Sequence, residues 1–278
     1  MKQAVMTEID EMTWRFTEKA FGEAVYMYLL IGTEKALLID TGYGFTDVPA
    51  AIRSVTDKPL IVVNTHGHMD HVHGNYLYPL VYLSENDEEC FRRHTDSEYL
   101  KGLLKDVLKA NHLPVWLMKL PGLHGHVEKV AASYPSRHIP LPPEGYFELG
   151  GRRVRIIETP GHTAGSICLL DEKNHWLFAG DTACHDGVLL HFPESTDVAT
   201  YQQSITKLKA LADDGEIETI FPCHQQTPLD TGILDTYLAL CGQLLDQKPD
   251  EAALQAGKIT RNGTAIQFDR NKIGGMNV

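Results

Sequence analysis

Short apolar runs recur through the first 83 residues of the chain, each bounded by turn-forming or charged residues. The runs at 24–31, 36–39 and 60–63 have the length and the flanking Gly, Asp, Asn and Pro residues that are typical of buried β-strands. A further run at 76–83 predicts a fourth strand. The first part of the chain is therefore predicted to form a β-sheet.

The hydrophobic pattern becomes helical after residue 85. Thr95 and Glu98 have the spacing of a capping box, so a helix is expected to begin there. The residues that follow are apolar at intervals of three and four, which is the spacing of one helix face. They are Leu100, Leu103, Leu104, Val107 and Leu108.

The stretch at 113–143 is rich in Pro, Gly and His and has little periodicity. We interpret residues 85–145 as an inserted helical and loop segment, because irregular insertions on a rigid scaffold often carry specificity. It is expected to form a lid over the functional site, in which Trp116 and its neighbours at 113–123 would supply an apolar wall. Packing of these residues onto the core or into a homodimer contact is an equally open alternative.

Strand-like runs return in the second half of the chain, at 154–157, 167–170, 176–179, 217–221 and 259–268. Helical patterns are interleaved with them. The alternation of strands and helices favours the α/β class. A length of 278 residues is ordinary for one α/β domain, so a single domain over 1–278 is expected.

Two helices are predicted in this half. The first is expected to end near Gly215. The second is expected to open at Thr227 as its N-cap, with Pro228 in the first turn and Asp230 facing the helix dipole. The apolar face of the first consists of Tyr201, Ile205, Leu208 and Leu211, and that of the second of Ile233, Tyr237, Leu238, Cys241 and Leu245.

Composition excludes several classes of function. Hydrophobic residues make up 43% and charged residues 22% of the chain, as in folded globular proteins. The formal net charge of −12, without a run of Lys and Arg, disfavours nucleic acid as a partner. The longest apolar run near the N-terminus, 25–31, is too short to span a bilayer, and no signal-peptide pattern precedes it. No membrane association is expected.

The five cysteines show no CxxC spacing, and their number is odd. This pattern is typical of a reduced protein with isolated thiols, so a cytoplasmic location is expected and a disulfide framework is not. A Cys-rich structural zinc site is disfavoured for the same reason.

A cluster of metal-binding residue types, His66-Gly67-His68-Met69-Asp70-His71, directly follows the predicted strand at 60–63. In an extended segment alternate residues point the same way, so His66 and His68 can share one ion. Asp70 and His71 lie where the chain is expected to turn into a helix, and they can face a second ion. Gly67 is expected to allow an unusual backbone angle between the two histidines. Imidazole and carboxylate ligands together suit zinc, and also iron or manganese.

Three further candidates, His162, Asp181 and His224, each follow a short apolar strand. Ligands on loops at the same edge of a sheet can converge on one pocket. So many polar groups in one region of a core require an ion or a polar network. The other nine histidines are interpreted individually as surface or packing residues.

The order of these motifs resembles that of the metallo-β-lactamase superfamily of hydrolases. The matching features are HxHxDH at 66–71, His162 after Pro-Gly, Asp181 after Gly, and the final His224; the turn at 40–42 matches as well. The resemblance implies a four-layer αββα sandwich. It also implies that His66, His68 and His162 bind one metal, that Asp70, His71 and His224 bind a second, and that Asp181 bridges both.

Two differences from other branches of the superfamily narrow the resemblance to one group of hydrolases. The bridging position holds Asp181, where one lactamase class has Cys, and Cys184 is interpreted as a packing residue. The first motif has His68, where the di-iron flavoprotein relatives have Glu, and no flavin-binding domain follows. The motifs are therefore closest to those of glyoxalase-II-like thioesterases and lactonases.

These features predict a hydrolase with two divalent metal ions, of which zinc is favoured over iron or manganese. Two ions roughly 3.5–4 Å apart can convert a shared water into a bridging hydroxide that attacks an ester, thioester or lactone of a small molecule. Asp70 is expected to orient that water as well as to bind metal. The alternatives are a phosphodiesterase of the same fold and a metal-binding sensor or scaffold without catalysis.

Other residues fit more than one role in the predicted site. Asp40 is either a partner of a ligating histidine or a turn-forming residue. Residues that would line the substrate pocket, each of which also suits a surface or packing position, are His124, His126, Tyr134, His185 and His191.

Overall fold

The computed structural model describes residues 3–110, 112–119, 121–132, 138–245 and 251–274, and the chain divides into two units, 1–141 and 142–278. The first unit contains one seven-stranded sheet whose strands follow one another in sequence order. The first four strands pair antiparallel and the last four pair parallel, with the fourth in both sets. They are β1 (Val5–Asp10), β2 (Thr13–Ala20), β3 (Glu23–Ile31), β4 (Ala36–Ile39), β5 (Leu60–Val63), β6 (Val81–Leu83) and β7 (His138–Pro140).

Among the residues of this unit that the structure describes, five α-helices accompany the sheet: α1 (Val48–Val55), α2 (Met69–Val72), α3 (Glu88–Thr95), α4 (Ser97–Ala110) and α5 (Pro121–Ala131). Asp47 caps α1 by accepting a hydrogen bond from the Ala50 amide at 3.0 Å. Helix α1 packs on the sheet through Ile52, which shares an apolar core with residues such as Met27 and Leu38. The strand β5 that precedes the metal-type motif is thus held in the middle of a packed layer.

The strand predicted at 76–83 is wrong in its first half. Residues His73–Leu77 form a 3-10 helix, and only Val81–Leu83 is extended in the sheet. Pro79 lies between the two and cannot donate a backbone hydrogen bond to a neighbouring strand, so strand pairing begins after it.

The helix start predicted at Thr95 is also wrong. Thr95 ends α3, and its hydroxyl donates back to the Phe91 carbonyl at 2.8 Å. The next residue, Asp96, caps α4 by accepting hydrogen bonds from the amides of Glu98 at 3.0 Å and Tyr99 at 2.8 Å. The predicted N-cap is one residue too early, because the neighbouring Asp96 caps the helix in place of Thr95.

The segment at 85–145 is largely helical, as its pattern indicates, and it closes with β7, which pairs parallel with β6. Trp116 is 61% exposed, and Leu113 and Val115 are exposed beside it. Tyr134, with 133 and 135–137, lies outside the described residues, as do 111 and 120. A lid role for the segment stays a prediction.

The second unit contains a six-stranded and a three-stranded sheet, with strand orders β14-β13-β11-β10-β9-β8 and β12-β16-β15. The strands are β8 (Tyr146–Glu148), β9 (Arg153–Glu158), β10 (Ile167–Asp171), β11 (Trp176–Gly180), β12 (Gly187–Leu190), β13 (Thr219–Pro222), β14 (Leu229–Asp230), β15 (Lys258–Arg261) and β16 (Thr264–Phe268). The helices are α6 (Val198–Asp213), α7 (Gly232–Leu245) and α8 (Glu251–Ala256).

Two buried tyrosines tie helices α6 and α7 to the loop after β11. Tyr201 of α6 donates to the Thr182 carbonyl at 2.8 Å, and Tyr237 of α7 donates to the Cys184 carbonyl at 2.6 Å. Their rings pack edge to face, 5.8 Å apart, within the main core of this unit. The loop that begins with Asp181 is therefore anchored at two successive points.

Helix α6 spans the predicted apolar face at 201–211, but the last helix does not begin at Thr227 as predicted. Residues Leu229–Asp230 form β14, which adds an antiparallel edge strand to β13. Asp230 then accepts a hydrogen bond from the Gly232 amide at 2.7 Å, and α7 begins at Gly232. Pairing with β13 has displaced the helix start.

The strand predicted at 259–268 is a hairpin instead of one element. Asn262 and Gly263 have φ values of 51° and 87° and join β15 to β16. Asn-Gly is the favoured pair for such a two-residue turn, because both positions need a positive φ. All five cysteines are buried thiols outside any disulfide bond, and the Cys184 Sγ packs 3.8 Å from the Gly180 carbonyl. Within the described ranges, every helix falls short of the length and apolarity that crossing a membrane requires.

Candidate metal centre

The HxHxDH motif lies on the loop after β5 and on the short helix α2. His66, His68 and His71 are 1%, 6% and 0% exposed. The ring centroid of His66 lies 4.8 Å from that of His68 and 4.0 Å from that of His71. As predicted, the chain turns helical at Asp70, so a strand end and one helical turn gather these imidazoles in one place.

Hydrogen bonds fix the rings of His66 and His71. Asp40 Oδ2 accepts from His71 Nδ1 at 2.8 Å and from the Thr65 hydroxyl at 2.8 Å. Since the Thr65 hydrogen is donated to Asp40, the Thr65 oxygen accepts from His66 Nδ1 at 3.0 Å. In both rings the proton is then on Nδ1, and Nε2 keeps the lone pair that a metal needs. Asp40 is thus a partner of a candidate ligand and not only a turn residue.

A buried amide network holds the backbone of His71. The Asn64 side chain donates to the His71 carbonyl at 2.8 Å, and the Asn75 side chain donates to Asn64 Oδ1 at 2.8 Å. The Thr41 amide also donates to the His71 carbonyl, at 2.9 Å. These contacts fix the position of α2 relative to the ends of β4 and β5.

Gly67 is required for space and not, as predicted, for an unusual backbone angle. Its φ lies outside the left-handed region, but a Cβ placed on it would lie 2.7 Å from the Phe91 amide nitrogen. The Gly67 amide donates to Asp87 Oδ2 at 2.6 Å. The start of the insert therefore supports the motif directly.

Two residues of α3 that were not predicted for the site lie beside His68. The His94 ring centroid is 4.7 Å from that of His68, and the Cys90 Sγ lies within 4.8 Å of a ring nitrogen of each histidine. Both Cys90 and His94 are buried. They are more than 20 positions from His68, and no short-range spacing in the sequence indicates the contact.

The structure brings the three candidates of the second unit together. Asp181 directly follows β11, and His224 lies two residues beyond β13. His162 donates from Nδ1 to the Leu189 carbonyl at 2.8 Å, so its Nε2 is available. That Nε2 lies 3.5 Å from Asp181 Oδ2, whereas His224 Nε2 lies 3.4 Å from Asp181 Oδ1. Each carboxylate oxygen of Asp181 thus faces a different imidazole.

The distances between these nitrogen and oxygen atoms fit two ligands of one shared ion better than they fit hydrogen bonds. Two atoms bound to one tetrahedral ion at about 2.0–2.2 Å lie roughly 3.3–3.6 Å apart. The Asp181 pairs are in this range, and His71 Nε2 lies 3.7 Å from Asp70 Oδ2 in the first unit. Imidazole and carboxylate donors suit zinc, iron or manganese. The donor sets of both units therefore fit divalent transition metals.

Two other histidines of the first unit, the buried His73 and the half-buried His126, stay uncharged near neutral pH. Burial lowers the pKa of His73 to about 3, although its Nε2 donates to the His94 carbonyl at 2.9 Å. Burial also lowers the pKa of His126 to about 4, with a smaller contribution from Lys129. Both act as neutral rings in their surroundings.

The other pocket candidates differ in their surroundings. His185 is 41% exposed and its Nδ1 lies 2.6 Å from Asp186, so it is a surface residue. The His191 ring centroid lies 4.4 Å from that of Phe192 in a tilted arrangement, and the Phe192 centroid lies 5.9 Å from that of His162. His124 is exposed on α5. Its contact with Phe192 brings His191 near the candidate ligand His162 within the same unit.

The candidate ligands are histidines and aspartates on loops that follow β-strands, and hydrogen bonds hold the histidine ring nitrogens that do not face the metal. These features define an α/β protein that binds divalent metals. The profile of the metallo-beta-lactamase superfamily matches residues 20–254, and the chain belongs to this superfamily. The metallo-beta-lactamase family protein TTHA1429 of Thermus thermophilus has a similar solved structure. Its TM-score is 0.59 at 19% identity, over 87% of this chain and 85% of that one. The predicted fold class and family are confirmed.

The relatives in this superfamily include named hydrolases. The chain is 29% identical over 226 residues to the acyl-coenzyme A thioesterase MBLAC2 of Bos taurus, covering 77% of this chain and 76% of the relative. It is 41% identical over 71 residues to the hydroxyacylglutathione hydrolase of Rhizobium meliloti (strain 1021), covering 26% and 27%. The chain is therefore a hydrolase, as predicted.

Proposed function

We propose that this hydrolase uses two divalent metal ions to cleave thioesters of small acyl groups. His66, His68 and His162 would hold one ion, Asp70, His71 and His224 the other, and Asp181 would bridge them. The observation that carries the proposal is the position of Asp181, whose Oδ2 faces His162 and whose Oδ1 faces His224. A carboxylate placed in this way suits one ion on each oxygen.

The substrate class is supported by the names of the relatives. An acyl-coenzyme A thioesterase and a hydroxyacylglutathione hydrolase both act on acyl groups carried by a thiol. Esters and lactones present the same carbonyl carbon and are the nearest alternatives. Zinc is the expected metal because the donors are imidazole and carboxylate, and iron or manganese would bind the same donors.

The bound ions would lower the pKa of a water molecule and polarise the substrate carbonyl. Asp70 would orient the attacking water. Its side chain is 21% exposed while the His71 beside it is fully buried, which supports this role. A carboxylate oxygen of Asp70 would receive the proton that the water loses. Asp40 would keep His71 in the Nδ1-protonated form throughout, since its Oδ2 accepts the Nδ1 hydrogen.

A substrate panel tests this function. Protein reconstituted with zinc is assayed with an acyl-CoA thioester, an acylglutathione, an aryl ester, a lactone and a phosphodiester. We expect the thioesters to have the highest kcat/KM, and the activity to disappear on removal of metal by a chelator and to return with zinc. Turnover of the phosphodiester alone would overturn the proposal. The homodimer contact, an alternative for the insert, and the absence of nucleic-acid binding stay predictions.

A further inference from the structure

We propose that a further metal site, with a thiol among its ligands, lies where helix α3 packs against the HxHxDH motif. Its donors are His68 of the motif and Cys90 and His94 of α3, all within the first unit. We call it the thiol site, and its ligand is a thiophilic divalent cation, of which Zn²⁺ is the expected one. The inference goes beyond the proposed thioesterase function, because it concerns metal binding alone and its test needs no substrate.

The three donors are close enough together to bind one ion. The Sγ of Cys90 and one ring nitrogen each of His68 and His94 lie within 4.8 Å of one another. The ring centroids of the two histidines are 4.7 Å apart. Nitrogen and sulfur atoms bound to one tetrahedral zinc ion lie roughly 3.3–3.6 Å apart. Side-chain movements of about 1 Å therefore bring the donors into the range that zinc requires.

Helix α3 supplies two of the donors from one face. Cys90 and His94 are four residues apart, and residues with this spacing lie one above the other on a helix. Two histidines with the same spacing bind one zinc ion in the HExxH motif. Both side chains of α3 are buried, as is His68, so bulk water does not compete with them for a cation.

The two ends of α3 are tied to the motif segment by hydrogen bonds. Asp87, directly before α3, accepts from the Gly67 amide at 2.6 Å. At the other end, His73 Nε2 donates to the His94 carbonyl at 2.9 Å. A Cβ placed on Gly67 would lie 3.1 Å from the Cys90 Cβ, so the glycine allows the helix to approach the motif. The backbone therefore holds the three donors together before a metal binds.

The donor set selects a different group of metals from the imidazole and carboxylate ligands of the proposed two-ion centre. A thiol ligand favours zinc and other thiophilic ions over manganese or magnesium. On binding, the cation takes the place of the thiol proton of Cys90, and the proton passes to the solvent. Three protein donors leave the fourth position of a tetrahedral ion to water or to another ligand.

His68 links the thiol site to the proposed two-ion centre. A neutral imidazole has one lone pair available for a metal, so His68 binds an ion in only one of the two sites at a time. The thiol site has three protein donors, against four for each ion of the proposed centre. Its ion should therefore exchange more readily, and binding is measured at equilibrium with the metal in solution.

Titration with Co²⁺ of the full-length protein, treated with a chelator and a reductant, tests the thiol site. A thiolate bound to cobalt gives a charge-transfer band in the near ultraviolet, which nitrogen and oxygen ligands do not give. We expect this band in the wild type, its displacement by zinc, and its loss in Cys90→Ala and Cys90→Ser. His94→Phe keeps a ring beside Tyr99 but removes a donor, so the band should require at least about tenfold more cobalt.

Two matched controls belong with these variants. Cys241→Ala removes a buried helical thiol from the apolar core of the second unit. His138→Phe changes a histidine whose ring packs 5.5 Å from Phe91 of α3 and which is outside the donor group. The cobalt band should keep its wild-type intensity in both controls. Circular dichroism identifies the variants that are folded, and only these are compared.

Asp181→Ala separates the thiol site from the two-ion centre. The band should form at least as readily in this variant as in the wild type, because His68 is then released from the centre. Such a result supports the thiol site even where the centre holds no metal or no thioester is hydrolysed, so that only the proposed function fails.

Three results would overturn the inference. The first is the absence of a thiolate band in both the wild type and Asp181→Ala at excess cobalt. The second is a band that survives in a folded Cys90 variant. The third is a band that disappears in Asp181→Ala, or in Cys223→Ser instead of the Cys90 variants, because Cys223 directly precedes the candidate ligand His224.

Discussion

Asp40 Oδ2 accepts a hydrogen bond from His71 Nδ1 at 2.8 Å, and both side chains are completely buried. The carboxylate selects the ring tautomer and leaves His71 Nε2 for a metal. The Thr65 amide also donates to Asp40, to Oδ1 at 2.7 Å, so in Asp40→Asn at least one of these donors would face an amide NH₂ group. We expect metal affinity, measured by competition with a chelator, to fall about 10–100-fold.

Asp47→Asn is the matched control for Asp40→Asn. Asp47 caps α1 a few residues further along the same loop, and Asn caps helices about as well as Asp. Metal affinity and activity should therefore stay at wild-type values in this variant. Wild-type metal affinity in Asp40→Asn would show that the contact with His71 does not position a ligand.

The local pattern and the family resemblance together predict the candidate ligands. His66, His68, Asp70 and His71 are adjacent in the sequence, and the strand before them fixes which way they point. His162, Asp181 and His224 were identified by their positions after apolar strands and by the resemblance. The supporting contacts from Asp87, Cys90 and His94 were not predictable, because they depend on how α3 packs under the motif.

The errors in the fold have similar causes. Strands β1 and β2 were not predicted, since β1 has no buried position and polar residues such as Glu8, Asp10 and Arg15 interrupt both strands. The turn at Asn262 was overlooked within an apolar stretch, although Asn-Gly is a strong hairpin signal. At Thr227 the local sequence favours the start of a helix, but Leu229 pairs with β13 instead. No local pattern in the sequence shows that pairing.

Gly67→Ala should disturb the metal site through packing. The added Cβ would lie 2.7 Å from the Phe91 amide and 3.1 Å from the Asp87 carbonyl, both of them backbone atoms that cannot move independently. We expect a loss of stability of about 1–3 kcal/mol, with reduced metal affinity. Chemical unfolding and metal titration measure the two effects.

Gly102→Ala provides the opposite control within the same unit. A Cβ at this position in α4 meets no atom within 4 Å, and alanine favours the helix by up to about 1 kcal/mol. This variant should be more stable than the wild type with unchanged metal affinity. A Gly67→Ala protein as stable as the wild type would contradict the close packing of the motif on α3.

The buried ion pair of the second unit should contribute strongly to the free energy of unfolding and should not affect metal binding. Arg152 Nη2 lies 2.7 Å from Asp171 Oδ2, and the two side chains are 4% and 0% exposed. Asp171→Ala leaves a buried guanidinium without its partner and should lower the free energy of unfolding by about 3–5 kcal/mol. The double variant Arg152→Met with Asp171→Leu should recover most of the loss. Urea unfolding tests both, and a loss below about 1 kcal/mol in Asp171→Ala would contradict the assignment.

Acid should destabilise the metal-free protein partly through His126. Burial lowers the pKa of His126 from 6.5 to about 4, so between these values the unfolded chain binds a proton that the folded chain does not. This contribution to stability is complete above pH 6.5 and is lost as the pH falls toward 4. It should be on the order of 1–3 kcal/mol, allowing for partial exposure.

The comparison of wild type with His126→Phe isolates that contribution. Phenylalanine keeps a ring beside Phe45 but cannot be protonated. We expect the free energy of unfolding of the chelator-treated variant to fall less steeply than that of the wild type between pH 6.5 and 4. Equal slopes would mean that His126 does not titrate in this range on unfolding.

Asp181→Ala should remove the bridge between the two ions and leave the fold intact. The loop that carries Asp181 stays anchored by Tyr201 and Tyr237, which donate to backbone carbonyls and do not depend on the carboxylate. Metal content and turnover should both be lost, while the circular dichroism spectrum stays that of the wild type. His185→Ala, a change at a 41% exposed residue outside the ligand set, should be far milder.

Elemental analysis of the purified wild-type protein tests the two-ion centre most directly. After supplementation with zinc, iron and manganese and removal of loosely bound metal, we expect about two equivalents of transition metal per chain. Asp181→Ala, analysed in parallel, should contain less than one equivalent. A wild-type protein that holds only trace transition metal under these conditions, or an Asp181→Ala protein with full metal content, would contradict the proposed centre.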